Sequence, residues 1–330
     1  MIISRTPLRI SFLGGGSDLP DFYRDESGAV VSAAINKYIY ITVNPKFDAR
    51  IRASYSVTEM VDRPEDLKHE LIREALALTG IEGGIEITSI SDIPSRGTGL
   101  GSSSTYTVGL LNALHASLGR HAGAERLARE ASEIEIERCG QPVGKQDQYI
   151  AAYGGLRHIQ FNPDGSVFVD PLVMEPSIRE AIQSHLLLLY TGITRPSAEV
   201  LEEQRERIAG EGSERASVRR MVELAGELRA ALDAGETDSF GELLHAGWVE
   251  KRTLASGITN PTVDEWYERA RGHGALGGKL LGAGGGGFLL LYAHPKHHRD
   301  ILEALPELRH VPFRFEPQGS KIIYVEEHDD

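Results

Sequence analysis

The sequence contains a single cysteine, Cys139, so no disulfide can close within the chain and covalent cross-linking is excluded as a source of its stability. Long apolar runs are also lacking. The longest, such as Leu186–Tyr190 and Phe288–Ala293, fall far short of the ~20 residues a membrane-spanning helix needs, and they read as buried strands. The opening Met1-Ile-Ile-Ser-Arg-Thr-Pro lacks the apolar centre of a secretory signal, which predicts a cytoplasmic address. Positive charge is scarce: 35 Lys and Arg face 48 Asp and Glu, a formal net charge of −13. Such a surface opposes nonspecific attraction to a phosphate backbone, so nucleic acid is not an expected partner. An anionic small molecule would have to be met by a few local cations. There is no internal repeat or low-complexity tract, and a composition 41% hydrophobic and 25% charged predicts an ordered globular protein.

At 330 residues the chain exceeds the usual size of one compact core, which predicts two lobes with a cleft between them. Strand signals cover residues 8–13, 30–43 and 85–90, and helical patterns cover about 65–78, 102–118 and 125–138. This is α+β ordering without regular βα alternation. A second segment opens near His185 with an apolar strand. It continues through polar helices over about 198–234 and 239–255 and ends with strand-like stretches at 288–293 and 321–326. The expected division falls near residue 180, separating 1–180 from 181–330.

Glycine clusters three times, at Gly14-Gly15-Gly16, at Gly97-Thr98-Gly99-Leu100-Gly101-Ser102-Ser103-Ser104, and at Gly282-Ala283-Gly284-Gly285-Gly286-Gly287. The middle cluster follows Ile93-Pro94 and runs into an amphipathic helix. A glycine-rich turn that opens a helix aims backbone N–H groups and the positive end of the helix dipole at one spot, a suitable place for phosphate. It is not a Walker A loop, because no lysine stands between Gly101 and Ser102. The third cluster matches the dinucleotide fingerprint in spacing but leads into a strand, where that fingerprint should open a helix.

Pro94 through Ser104 resembles the central ATP-binding motif of the GHMP kinases. Thr6-Pro7-Leu8-Arg9-Ile10 with Gly14 to Asp18 is similar to their N-terminal motif, and Lys279 through Phe288 to their C-terminal one. The three occur in family order and span nearly the whole chain. The resemblance implies a two-lobed GHMP kinase fold, with an N-terminal lobe like ribosomal protein S5 and a ferredoxin-like C-terminal lobe. It also implies a kinase that uses ATP and Mg²⁺ on a small-molecule hydroxyl. ATP would be cradled by Pro94, Gly97, Gly99, Leu100, Gly101, Ser102, Ser103 and Ser104. Gly284 and Gly285 would close against substrate.

On the helix expected over 125–138, Glu135 is the one acid whose 100° turn places it on the apolar arc with Leu127, Ala128, Ala131 and Ile134. A carboxylate turned inward is costly without a partner, either a bound cation or an internal salt bridge. Downstream, Gly140-Gln-Pro-Val-Gly144-Lys-Gln-Asp147-Gln148 is a turn-rich segment whose acid could, on composition alone, be a helix cap. In galactokinase-like members of the family a metal-binding Glu precedes the catalytic Asp of a similar segment by twelve residues, the interval found here. The resemblance therefore implies that Glu135, with Ser103, holds Mg²⁺ and that Asp147 is the base. Arg9 is either a structural ion pair or, as the resemblance implies, the cation that keeps Asp147 ionised and offsets charge on the transferring phosphoryl group.

Galactokinases carry Glu-His where this chain has Gly15 and Gly16, so galactose recognition of that kind is absent, whereas Asp18 stands at the position of a sugar-binding Asp. Together with Gly144-Lys-Gln-Asp-Gln, Tyr190-Thr-Gly-Ile-Thr-Arg195 and Ser256-Gly-Ile-Thr-Asn-Pro261, the pattern looks most like the heptose 7-phosphate kinases of nucleotide-heptose synthesis, which phosphorylate the anomeric hydroxyl. A fucokinase-like sugar 1-kinase and a noncatalytic regulator of the same fold are the alternatives. A phosphorylated acceptor calls for a cation. Arg195, in the loop after the apolar strand, is the first choice, with Lys37, Arg96 and Lys251 behind it; a surface arginine capping the next helix is the other reading of Arg195. Oligomeric state is not legible.

Overall fold

In the computed structural model, which describes residues 1–94, 97–194 and 198–326, the chain opens with strand β1 (Ile2–Leu13). Side chains alternate across a strand, so Leu8, Ile10 and Phe12 enter the core on one face while Arg9 and Ser11 share the other. Next come β2 (Gly28–Pro45), β3 (Ile51–Ser54), β4 (Thr58–Val61), β5 (Ile85–Ser91), β6 (Leu156–Phe161) and β7 (Val167–Pro171). At 18 residues β2 is long enough to pair with β1 along most of its length, with β5 through residues 39–45 and with β6 through residues 28–33. The second sheet consists of β8 (Leu186–Tyr190), β9 (Ala275–Leu280), β10 (Phe288–Ala293) and β11 (Arg309–His310), in the order β11-β8-β10-β9. All six residues of β10 are buried, as an apolar strand covered on both faces should be. The last strand, β12 (Lys321–Val325), returns to the first sheet and pairs antiparallel with Ile2–Arg5 of β1.

The α+β class is thus as expected, with two sheets and helices packed on them. The helices are α1 (Pro20–Tyr23), α2 (Glu70–Thr79), α3 (Ser102–Ser117), α4 (Ala124–Ser132), α5 (Gln146–Tyr153) and α6 (Pro176–His185), then α7 (Ala198–Ala209), α8 (Ser213–Asp233), α9 (Phe240–Lys251), α10 (Pro261–Gly272) and α11 (His298–Ala304). Among the described residues no helix is long and apolar enough to cross a membrane. Three expectations need adjusting. Helix α2 begins at Glu70 and not near Glu65, because the Glu59 carboxylate accepts from the N–H groups of Lys68 (2.7 Å) and His69 (3.2 Å) and so ends the turn before it. The polar stretch 198–234 breaks into α7 and α8 around Gly210 and Gly212. The helix expected over 125–138 is α4 followed by a wider π-helical turn, Glu133–Arg138.

Two apolar clusters form the interior, and α8 joins them. Its Val218 and Met221 pack into the cluster around the second sheet, and Leu224, Ala225, Leu228 and Leu232 into the cluster around the first. At the head of α8 sits Arg215, 2% exposed. It donates to Glu26 Oε1 (2.7 Å), Asp25 Oδ2 (3.0 Å) and the carbonyls of Asp21 (3.0 Å) and Ile208 (3.2 Å), and its guanidinium lies over the Phe22 ring. Arg205 and Arg219 add bonds to Asp21 and Glu26. These arginines tie α7 and α8 to the α1 turn, and hence to the first glycine loop. Removing Arg215 strips a buried set of charge-assisted bonds, so Arg215→Met should lower the unfolding free energy by roughly 3 kcal/mol in denaturant titration. A change within about 0.5 kcal/mol would refute the clamp.

Candidate active site

A cleft of about 630 Å³ lies where β1, the three glycine loops, the segment before α5, helix α7 and the ends of α9 and β9 meet. Its centre is an ion pair. Arg9, on the face of β1 that it shares with Ser11, donates through Nε to Asp147 Oδ1 and through Nη2 to Asp147 Oδ2, both at 2.6 Å, and through Nη1 to the carbonyl of Gly99 at 2.6 Å. Arg9 is 4% exposed. The bidentate fork fixes the carboxylate plane, yet a carboxylate has about four acceptor sites, so Asp147 can still receive a proton from a third group. Asp147 stands in the first turn of α5.

Asp18 is tied to the same corner. It accepts from the N–H of Gly16 (2.9 Å) and of Gln146 (3.2 Å), and its carbonyl takes the N–H of Lys145. Burial, aided by the charge of Asp147, pushes its carboxyl above the usual range. Any Cβ at position 144 would overlap the Asp18 carboxylate, which gives Gly144 a steric reason to be glycine.

The middle glycine loop runs into α3, whose first-turn N–H groups at Ser102, Ser103 and Ser104 have no intrahelical acceptors, and these three serines line the cleft. Its glycines are also needed for packing. A Cβ at Gly99 would overlap the carbonyl of Leu281, and one at Gly282 would overlap Gly99 itself, so the second and third glycine loops touch backbone to backbone. A Cβ at Gly101 would point at Asp147 Oδ2 (3.1 Å) and Arg9 Cγ (3.2 Å), into the ion pair.

Glu135 is fully buried behind the serines and is not part of the cleft wall. Its carboxylate accepts from Ser103 Oγ (3.0 Å), Ser104 Oγ (2.6 Å), Thr107 Oγ1 (2.9 Å) and the Gln148 side-chain amide. Burial raises its carboxyl pKa, and those four donors work against the rise. Neither a salt bridge nor a cation is needed to solvate it. Ser103 and Ser104, which line the cleft, connect this carboxylate to the wall, so one carboxylate with hydroxyls would fit Mg²⁺, which takes one or two carboxylates, once the metal replaced the hydroxyl hydrogen bonds now made to Glu135. Among the described residues no cluster of three His, Cys, Asp or Glu offers an all-protein metal cage.

The remaining expectations divide. Gly15, Gly16, Gly97, Gly99, Gly101, Ser102, Ser103 and Gly284 line the cleft with Ser104. Leu100 does not, since it is a core residue whose carbonyl accepts from the Arg9 N–H. Pro94 is exposed and off the wall, and Gly285 turns its N–H to Ile258 O while Gly286 takes the lining position. Arg195 and Arg96 lie outside the described residues, and Lys37 is not in the wall. The expectation that Glu135 is the one inward acid of its helix fails for Glu130, which is 6% exposed and bound by His115 Nε2 (2.6 Å) and Arg126 Nε (2.7 Å). A helical wheel does not see a partner arriving from α3. Sequence reasoning missed Lys279, Gln146 and Gln204 as wall residues. For Lys279 a signal was present, a lone cation in an apolar, glycine-rich strand. For Gln204, one polar residue on a polar helix, there was none.

Comparison with known proteins agrees with this geometry. The family model described as GHMP kinases N terminal domain matches residues 67–155, and the one described as GHMP kinases C terminal matches residues 228–309, together more than half of the chain. A D-glycero-alpha-D-manno-heptose 7-phosphate kinase from Campylobacter jejuni is 29% identical over 316 residues, covering 92% of this chain and 93% of that one. A bifunctional fucokinase/GDP-fucose pyrophosphorylase from Arabidopsis thaliana is 27% identical over 311 residues, 87% of this chain and 29% of the relative. The crystal structure of a D-glycero-D-manno-heptose 1-phosphate kinase from Bacteriodes thetaiotaomicron superimposes with a TM-score of 0.81 at 26% identity, covering 99% of this chain and 100% of that one. With its three glycine loops closed around an arginine-locked aspartate, the chain belongs to the GHMP kinases and is a phosphotransferase that acts on a hydroxyl group.

Proposed function

We propose that this kinase transfers the γ-phosphoryl group of ATP directly to the anomeric hydroxyl of D-glycero-D-manno-heptose 7-phosphate, giving the 1,7-bisphosphate and ADP. The observation that carries this reading is the Arg9–Asp147 pair facing Asp18 beneath the N-terminus of α3. Asp147 accepts the proton of the acceptor hydroxyl as its oxygen bonds to the γ-phosphorus and the bond to ADP breaks. Arg9 keeps both Asp147 oxygens oriented and adds positive charge beside the transferring group. The N–H groups from Gly97 to Ser104 hold the triphosphate, and Asp18 accepts a hydroxyl of the sugar. When bound, Mg²⁺ would be held by Ser103 and Glu135 and would neutralise charge between the β- and γ-phosphates. The heptose phosphate is favoured by the two relatives named for heptose phosphates and by the absence of side chains at Gly15 and Gly16. Arg195 is our candidate for the acceptor's own phosphate. Thr194 and Ala198, the described residues on either side of 195–197, both line the cleft.

Three measurements test this. Asp147→Asn should lower kcat by about 10²–10⁴ with little change in KM; near-full turnover would remove Asp147 as base. Glu135→Gln should raise the Mg²⁺ concentration needed for half-maximal rate at least several-fold, and an unchanged requirement would separate Glu135 from the metal. The wild-type enzyme should strongly prefer heptose 7-phosphate over the unphosphorylated heptose, and Arg195→Ala should cost roughly 2–4 kcal/mol in kcat/KM for the phosphorylated sugar alone. Equal use of both sugars by the wild type would defeat the acceptor assignment, whereas a preference that survives Arg195→Ala would reject only Arg195.

A further inference from the structure

Two buried cations in the cleft take no part in the steps above. Lys251, at the C-terminal end of α9, and Lys279, in β9, are 8% and 5% exposed, and both line the wall. An ammonium carries three donors. Lys251 gives one to the carbonyl of Gly282 and Lys279 gives one to the carbonyl of Phe12 (2.8 Å), and neither makes an ion pair with a carboxylate among the described residues. Burial, reinforced by the charge of Arg9, lowers Lys251 to about 8. Burial also holds Lys279 well below its ordinary value, and Lys251 and Arg9 add to that effect.

Among the described residues the wall therefore sets three basic side chains, Arg9, Lys251 and Lys279, against two acids, Asp18 and Asp147, in a chain whose formal net charge is −13. The Arg9 donors are committed to Asp147 and Gly99, whereas among the described wall residues the two lysines keep N–H donors open to a ligand. Burial disfavours the ammonium form of both lysines in the ligand-free fold, and an arriving anion favours it. The charges that reach Lys251 are those of Arg9, Asp18 and Asp147, the groups around the reacting hydroxyl. A phosphoryl group in transfer spreads negative charge over three oxygens, and two compact ammoniums beside it suit that distribution.

We propose that Lys251 and Lys279 form a cation clamp for phosphate oxygens at the Arg9–Asp147 end of the cleft, and that the phosphate they hold is the group in transit from ATP. This rests on the ATP-dependent kinase reading. Calorimetric titration of wild type, Lys251→Met and Lys279→Met with Mg²⁺-ADP, with Mg²⁺-adenylyl imidodiphosphate and with heptose 7-phosphate tests it. Each methionine variant should bind the triphosphate analogue roughly 10–100-fold more weakly and ADP about as wild type does, because only the analogue carries the third phosphate. Its ligand-free thermal midpoint should equal or exceed that of wild type, since a buried charge has been removed. Weakening confined to heptose 7-phosphate would overturn the assignment to the group in transit and give the clamp to the acceptor's own phosphate. Unchanged binding of all three ligands with a lowered midpoint would make the lysines structural ties and overturn the clamp. A wild type that binds no triphosphate analogue would instead sink the kinase reading. Wild type alone supplies a check that needs no variant. At pH 8, with Arg9, Lys279, Asp18 and Asp147 as the titratable and charged groups facing Lys251, binding of the analogue should be accompanied by proton uptake, read from titrations in buffers of different ionisation enthalpy. Absence of uptake would contradict the clamp.

Discussion

The bidentate bond between Arg9 and Asp147 is the contact on which the rest of the site depends. It joins β1 to the first turn of α5, and the third donor of the same guanidinium reaches the carbonyl of Gly99, so one side chain sets the relative positions of the first sheet, the proposed base and the phosphate loop. Arg9 is buried and Asp147 is partly buried in the cleft wall, where a charge-assisted pair is strong when intact and costly when broken. The neighbouring constraints converge on it. Asp18 is held by the N–H of Gln146, next in sequence to Asp147, and Gly101 lacks a side chain that would press on the pair.

The glycine loops show a second constraint. They are usually read as open space for phosphate, and the loop before α3 does line the cleft. Yet Gly99 and Gly282 are in contact with one another's backbone, and Gly287 packs on the carbonyl of Thr98. The third loop, between two strands of the second sheet, is thereby seated on the loop that opens α3, a helix packed on the first sheet. Contact this close is possible only without Cβ atoms, and it adds a backbone coupling between the two loops to the apolar packing that the two sheets share.

Much of this was legible in the sequence, for identifiable reasons. The α+β class followed from strand and helix periods that are local, and β10 and α3 were placed to within a residue. Arg9, Asp18 and Asp147 were reached by resemblance, because each sits in a segment whose neighbours carry the family's pattern. What stayed hidden depends on distant partners. The return of β12 to β1 spans nearly the whole chain. The burial of Glu130 depends on His115 from another helix, and the four donors around Glu135 come from α3 and α5. Pro94, Leu100 and Gly285 belong to the motifs by sequence but not to the wall, since neighbouring residues of a loop point different ways and a motif does not record which of them face the ligand.

The central claim is that Asp147, held at both oxygens by Arg9, takes a proton and never a phosphoryl group. The stereochemical course at phosphorus tests this most directly. With ATP made chiral at the γ-phosphorus by oxygen isotopes and heptose 7-phosphate as acceptor, a single in-line displacement predicts inversion of configuration in the product. Retention would require two displacements through a phosphorylated enzyme and would contradict the account.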